Sequence, residues 1–245
     1  MPLLLVLMAF LAAAPARAQG SRWVVDPKLS LAWWQINPHL NHLWATTCPA
    51  DPSWRPGEDR GSGWRVPTLK LSTGYSTTAD TVVPLFPRKW ALPLCAPALR
   101  GEVVTDDAKA WTGTRGQIVL KADALVSGLD MRDRYARQAI LETARFPEIR
   151  FQVDSLVEVQ PGDTLRALIK GVFEFRGVRR EVTAPAVAWR EAGGLRITAD
   201  FDHPARDLVD VYGISRLALG LGVGGLVWKT IHLGIDIVMK PATED

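Results

Sequence analysis

Apolar and polar residues alternate with a period of two along two stretches of this chain. In Pro147-Glu148-Ile149-Arg150-Phe151-Gln152-Val153-Asp154 the odd positions are apolar and the even ones polar. Across 229–240, Ile231, Leu233, Ile235 and Ile237 alternate with His232, Gly234 and Asp236. Successive side chains of a strand point to opposite faces, so this pattern predicts strands with one face buried and one in water, as in an antiparallel sheet or barrel. A β-type run over 24–36, broken by Asp26-Pro27, opens the series, with Trp23, Trp33 and Trp34 in or beside it. Strands are also predicted at 117–122, 149–159, 165–175, 182–189, 195–201 and 231–239.

One helix interrupts the strands. Asp130 is placed to cap a segment running through 132–143, rich in Arg, Ala, Gln and Leu, with Met131, Tyr135 and Ala139 on one face. Phe146-Pro147 ends it. The stretch from Cys48 to Cys95 has a different character. It holds Pro49, Pro52, Pro56, Pro67, Pro84, Pro87 and Pro93 and the glycines 57, 61 and 63. It reads as an irregular insertion, 48–95, with one short hairpin near 69–75. No internal repeat, heptad pattern or low-complexity tract is present. A chain of 245 residues suits one all-β domain with a full-sized core.

The N-terminus adds a compartment. Residues 3–14 are almost wholly apolar, and Ala16-Arg17-Ala18 follows with small residues at both key positions. This predicts a signal peptide, 1–18, removed to leave a single domain at 19–245 in the periplasm or outside the cell. The apolar stretch is too short to span roughly 30 Å of hydrocarbon. Two cysteines, Cys48 and Cys95, bracket the insertion, and in an oxidising compartment an even count predicts one disulfide between them. No Cys/His spacing for zinc accompanies them, and no metal or cofactor is expected.

Charge excludes one function class. Lys+Arg number 29 against Asp+Glu 26, with no basic stripe to track phosphates, so nucleic acid is not an expected partner. Arg176, Arg179 and Arg180 cluster, but Glu174 and Glu181 flank them, and a solvated turn is expected. Gly220-Leu221-Gly222-Val223-Gly224-Gly225 matches a dinucleotide-binding string, yet a strand rather than a helix follows it. A flexible barrel rim is the better reading. The apolar run 217–228 is too short to cross a membrane, which leaves it to line a cavity or touch a membrane surface. His39 and His42 read as loop histidines, and His203 and His232 as isolated, His232 on the wet face of its strand. No Gly-x-Ser-x-Gly turn is present, and Asp106-Asp107 and Glu148 lack a second acid at a recognisable spacing, so no catalytic residues are assigned.

With these elements in order, the chain resembles the YceI-like family of exported lipid-binding proteins. Trp23-Val24-Val25-Asp26-Pro27 with Ser30 is similar to that family's opening strand. Arg132-Asp133, the helical stretch and Phe146-Pro147-Glu148-Ile149-Arg150-Phe151 resemble its most characteristic segment. Gly162-Asp163 leading into 165–175, then Arg176-Gly177-Val178-Arg179-Arg180-Glu181-Val182, resembles its strand pair, and Tyr212-Gly213-Ile214 with the last strand fits its C-terminal region. The resemblance covers most of 22–46 and 101–241. The 48–95 insertion has no counterpart in it, and the signature expected near Tyr212 is only partly kept. The resemblance implies an all-β, eight-stranded antiparallel lipocalin-like barrel that holds a long apolar ligand, such as a polyisoprenoid, in its lumen.

Alternation then proposes the wall. Ile149, Phe151 and Val153 share one face of their strand; Ile169, Phe173 and Phe175 share another; Ile231, Leu233, Ile235 and Ile237 share a third. On the first strand both faces are apolar, and the family's register favours Ala32, Trp34 and Ile36 inward over Leu31 and Trp33. The same pattern also serves a solid core with no cavity. Two other functions stay open: a glycan- or protein-binding module using Trp54, Trp64 and Trp90 of the insertion, and a hydrolase at the barrel mouth.

Overall fold

The alternating stretches hydrogen-bond into one antiparallel wall. The computed structural model describes residues 20–36, 43–47, 97–126, 130–191, 193–219 and 230–242. Its strands are β1 (Ser21–Val25), β2 (Leu31–Ile36), β3 (Leu43–Thr47), β4 (Leu99–Thr105), β5 (Arg115–Lys121), β6 (Leu125–Val126), β7 (Glu148–Gln160), β8 (Thr164–Phe175), β9 (Val178–Glu191), β10 (Gly194–Pro204) and β11 (Thr230–Pro241). A ring runs β1-β4-β5-β7-β8-β9-β10-β11 and returns to β1 through the pairs Trp23↔Pro241 to Val25↔Met239. The fold is therefore the expected closed eight-stranded barrel, and closure leaves these strands without a free edge.

Three neighbouring lines of the wall are broken in the middle. Past the turn at Asp26, β2 takes over from β1 along β11, pairing Asp236↔Leu31 to Ile231↔Ile36. β3 then pairs β2, and β6 pairs β3, so β3 with β4 and β6 with β5 form the two adjoining broken lines. At the first break Ser30 replaces a missing ladder rung. Its hydroxyl accepts the Val238 N–H at 3.0 Å and lies 3.3 Å from the Val238 carbonyl. The second break falls between Thr47, which ends β3, and Leu99, which begins β4. Thr47 pairs Leu125, and the Ala98 carbonyl accepts from Lys121 N–H at 3.0 Å. Thr47 and Ala98 thus face positions four residues apart on the next line, on either side of the 3₁₀ turn Ala122–Ala124.

Cys48, Cys95, Trp54, Trp64, Trp90, the hairpin expected at 69–75, the leader 1–18, His39, His42 and the glycine string at 220–225 lie outside the described residues. β3 and β4 were not foreseen, because Leu43–Thr47 does not alternate and Gly101 interrupts the inward row of β4.

The helix differs from expectation. α1 (Asp130–Tyr135) has six residues, a π-type turn follows at Ala136–Ile140, and Glu142 adopts φ +46°. Met131 is 85% exposed, while Tyr135, half exposed, faces the barrel opening with Arg132, Asp133, Ala136 and Ile140. An apolar stripe on so short a helix contributes little burial, and the wider turn shifts the phase of the side chains after it.

The turn after β8 is also corrected. Arg176, expected in solvent, has a side chain only 7% exposed. At φ +50° it donates to the carbonyls of Tyr212 (3.0 Å) and Ile140 (2.6 Å) and to Glu142 Oε1 (2.6 Å). It ties the β8–β9 turn, the helix end and the 205–219 segment into one corner. Carbonyls at the ends of elements need donors, and a guanidinium supplies several in one plane.

Candidate functional site: the barrel lumen

Buried residues cluster at both ends of the barrel and, in its middle, around Val153, Ile169, Ala186 and Ala199, yet they do not fill the lumen. At one end Trp23, Leu99, Val103, Leu165, Leu195 and Met239 pack together. At the other, Phe175 and Ile231 of the wall pack with Leu208, Tyr212 and Ile214 of the 205–219 segment in a second cluster. Between them the inward row of β9 is Ala184, Ala186 and Ala188. Ala186 pairs with Ala167 of β8 on one side and with Ala199 of β10 on the other. Three methyl groups side by side cannot reach the opposite wall. The result is a cavity of about 550 Å³, within the usual range of roughly 300–1,000 Å³ for ligand pockets. A solid core is thereby set aside.

The strand faces assigned from alternation converge on this cavity. Ile149, Phe151, Val153, Ile169, Phe173, Phe175, Ile231, Leu233, Ile235 and Ile237 line it, as does Trp34. Ile36 pairs with Ile231, but its side chain is outside the described residues. A register shift after Val153 re-phases β7, so that Leu156 continues the inward row. Gly171 occupies an inward position of β8 where the backbones crowd. A Cβ there would lie 2.0 Å from the Gln152 carbonyl oxygen, and Phe151 leans into the space instead. Of the run 217–228, Leu217 is exposed while Ala218 and Leu219 line the cavity. Trp33, assigned outward, packs its ring over Gly234 and is also part of the lining.

Polar groups are few and, apart from Thr114 and Arg150, gather towards the helix end. Arg132, Asp133 and Tyr135 stand there. Deeper in the wall are His203, 6% exposed, and Tyr212, 4% exposed. Their rings lie 5.4 Å apart, and Phe173, Phe175 and Phe201 surround them at 5.0–6.4 Å. Burial pushes the His203 imidazole below its usual pKa, against the opposing pull of the Asp207 carboxylate. Burial, helped by Asp207, pushes the Tyr212 phenol up to about 12. Both groups are therefore uncharged at neutral pH.

His203 is the residue that sequence reading missed. Treated as isolated, it continues the inward row Ile197, Ala199, Phe201 of β10, and counting that phase to the strand's end identifies it. His232 stands on the outer face, 2.5 Å from Asp202 Oδ1. Among the described residues no group of three or more His, Cys, Asp or Glu side chains is placed to hold a metal ion.

A family model for the YceI-like domain matches residues 96–239 of this chain. Among solved structures, the chain is similar to a polyisoprenoid binding domain from Saccharophagus degradans implicated in plant cell wall breakdown. The TM-score is 0.53 at 12% identity, covering 90% of this chain and 98% of that one. It is likewise similar to BcnA of Burkholderia cenocepacia, with a TM-score of 0.52 at 10% identity over 89% of this chain and 99% of that one. At these identities the likeness is one of fold. A search of curated proteins found no match.

Proposed function

Because the chain belongs to the YceI-like domain family and its barrel encloses an apolar lumen, we propose that it is a binding protein that holds one long apolar molecule, of the polyisoprenoid kind, inside the barrel. The observation that carries this reading is the alanine-lined cavity that runs from one end cluster to the other. Along β8, the lining runs from Leu165 to Phe175. Ten residues at about 3.3 Å, on strands tilted roughly 40°, correspond to about 25 Å of barrel axis. That length suits an extended chain better than a compact ring system. Burial of such a chain contributes about 25 cal/mol for each Å² removed from water, less the cost of ordering it. The role is binding rather than catalysis. The named ligand class of the Saccharophagus domain, at 12% identity, adds support in principle.

Export belongs to the same proposal. The apolar stretch 3–14 and Ala16-Arg17-Ala18 support cleavage after Ala18, with Gln19 as the first mature residue in the periplasm or medium. N-terminal sequencing of protein from its native host checks this, and retention of Met1 contradicts it.

Native mass spectrometry and solvent extraction of freshly purified protein test the lumen. A stoichiometric apolar molecule is expected. Ile235→Lys, which aims a charge into the lumen, should abolish it, whereas His232→Lys on the outer face of the same strand should not. Circular dichroism first establishes that both variants fold. Wild-type protein that yields no lipid and takes up no added isoprenoid would end the proposal.

A further inference from the structure

The cavity is apolar over most of its length, but not uniformly. His203 Nε2 and Tyr212 Oη are both buried with no hydrogen-bond partner. Buried polar atoms in folded proteins are almost always satisfied, and one left unmade costs as much as a lost hydrogen bond. Two such atoms on neighbouring rings, at one end of a cavity, mark a place where the missing partner arrives with the occupant. Asp207 Oδ2 lies 3.7 Å from His203 Nε2, beyond hydrogen-bonding reach.

Building on the lipid-binding reading above, we infer that His203 and Tyr212 form a subsite for the polar end of the ligand, and that this end is a neutral oxygen group, a hydroxyl or a carbonyl. The chemistry of the surroundings selects neutrality. An anionic head would sit beside the Asp207 carboxylate, which already engages Arg180 at 3.6 Å and Arg206 at 3.9 Å. A cationic head would meet that same Asp207, whose charge Arg180 and Arg206 already engage. A hydroxyl or carbonyl oxygen, by contrast, accepts from the phenol, and the imidazole offers a donor or an acceptor according to its tautomer. The apolar tail then runs from these rings past Ala186 towards the packed end at Leu165.

The test compares probes that share one tail. Phytol, phytane and phytyl phosphate carry the same branched C20 chain with a hydroxyl, with nothing and with an anion. Delipidated mature protein is titrated with each from cyclodextrin, following tryptophan fluorescence. Phytol is expected to bind about tenfold more tightly than phytane, as for a site whose buried polar groups stay unpaired without the hydroxyl. Phytyl phosphate is expected to bind more weakly than phytol. Tyr212→Phe, which deletes only the unpartnered oxygen, should shrink the phytol-to-phytane ratio to within about threefold. His203→Phe provides a second, independent loss. Thermal unfolding confirms that each variant is folded. Equal affinity for phytol and phytane in the wild type overturns the subsite while leaving the apolar lumen standing. Tightest binding of phytyl phosphate also overturns it, in favour of an anion site. Binding of none of the three removes both the subsite and the lipid-binding reading.

Discussion

Ala186→Leu separates an open lumen from a tightly packed one by the sign of its effect. Ala186 lies between Ala167 and Ala199, where the wall is thinnest in side-chain volume. Leucine adds three carbon groups to an empty space. At about 0.8 kcal/mol for each group removed from water, they contribute up to about 2.4 kcal/mol. Ordering the new side chain costs about 0.5–1 kcal/mol, leaving a gain of roughly 1.5 kcal/mol in the lipid-free protein. For a domain of this size that raises the unfolding temperature by roughly 3–6 °C. The same three groups displace an equal length of ligand, so affinity for a long apolar chain should fall by about fiftyfold. Calorimetry of delipidated protein and a phytol titration read the two effects. Thr183→Leu, at an exposed outward position of the same strand, should change stability by less than about 0.5 kcal/mol and leave binding as it was. A variant that loses about 1–3 kcal/mol instead has been overpacked, and the lumen is then not open. A stabilised variant that binds as well as the wild type shows that the ligand does not pass the middle of the barrel.

Three further outcomes are expected. Arg176→Ala should cost about 2 kcal/mol in urea denaturation, because it strands two carbonyls and leaves Glu142 without its partner in a part-buried corner, and Arg176→Gly should cost about 1 kcal/mol less because it relieves the φ of +50°. Since burial holds His203 below its usual pKa of 6.5, the unfolded chain takes up that proton first as the pH falls. Stability contributed by the neutral ring is complete above 6.5 and declines below it, and His203→Phe should flatten the decline measured between pH 7.5 and 5, above the range in which Asp26, held below 3.8, titrates. Cys48 and Cys95 should yield no free thiol under non-reducing denaturing conditions, and reducing them should release loop-closure stabilisation of roughly 4 kcal/mol; two titratable thiols would show that the flanks of the insertion are held by β3 and β4 alone.

Much of the barrel was legible because alternation is local. A period of two on 149–153 and 231–237 assigns each side chain to a face without reference to any other strand, and those faces all meet the lumen. That Ile149, Phe173 and Ile235, on three separate strands, share the lumen needed only that a curved sheet has one inside. What the sequence could not settle depends on register. Whether the inward alanines of β8, β9 and β10 fall opposite one another, and so open a cavity, is decided by hydrogen-bond pairings between residues such as Ala167, Ala186 and Ala199 that are far apart in the chain. The same holds for Arg176, which looks like a surface charge beside Glu174 until three remote acceptors close around it. His203 is intermediate. Its phase was readable along β10, but its burial required the 205–219 segment to fold over the barrel end. Local periodicity specifies which way a side chain points; only the closed ring specifies what, if anything, it meets there.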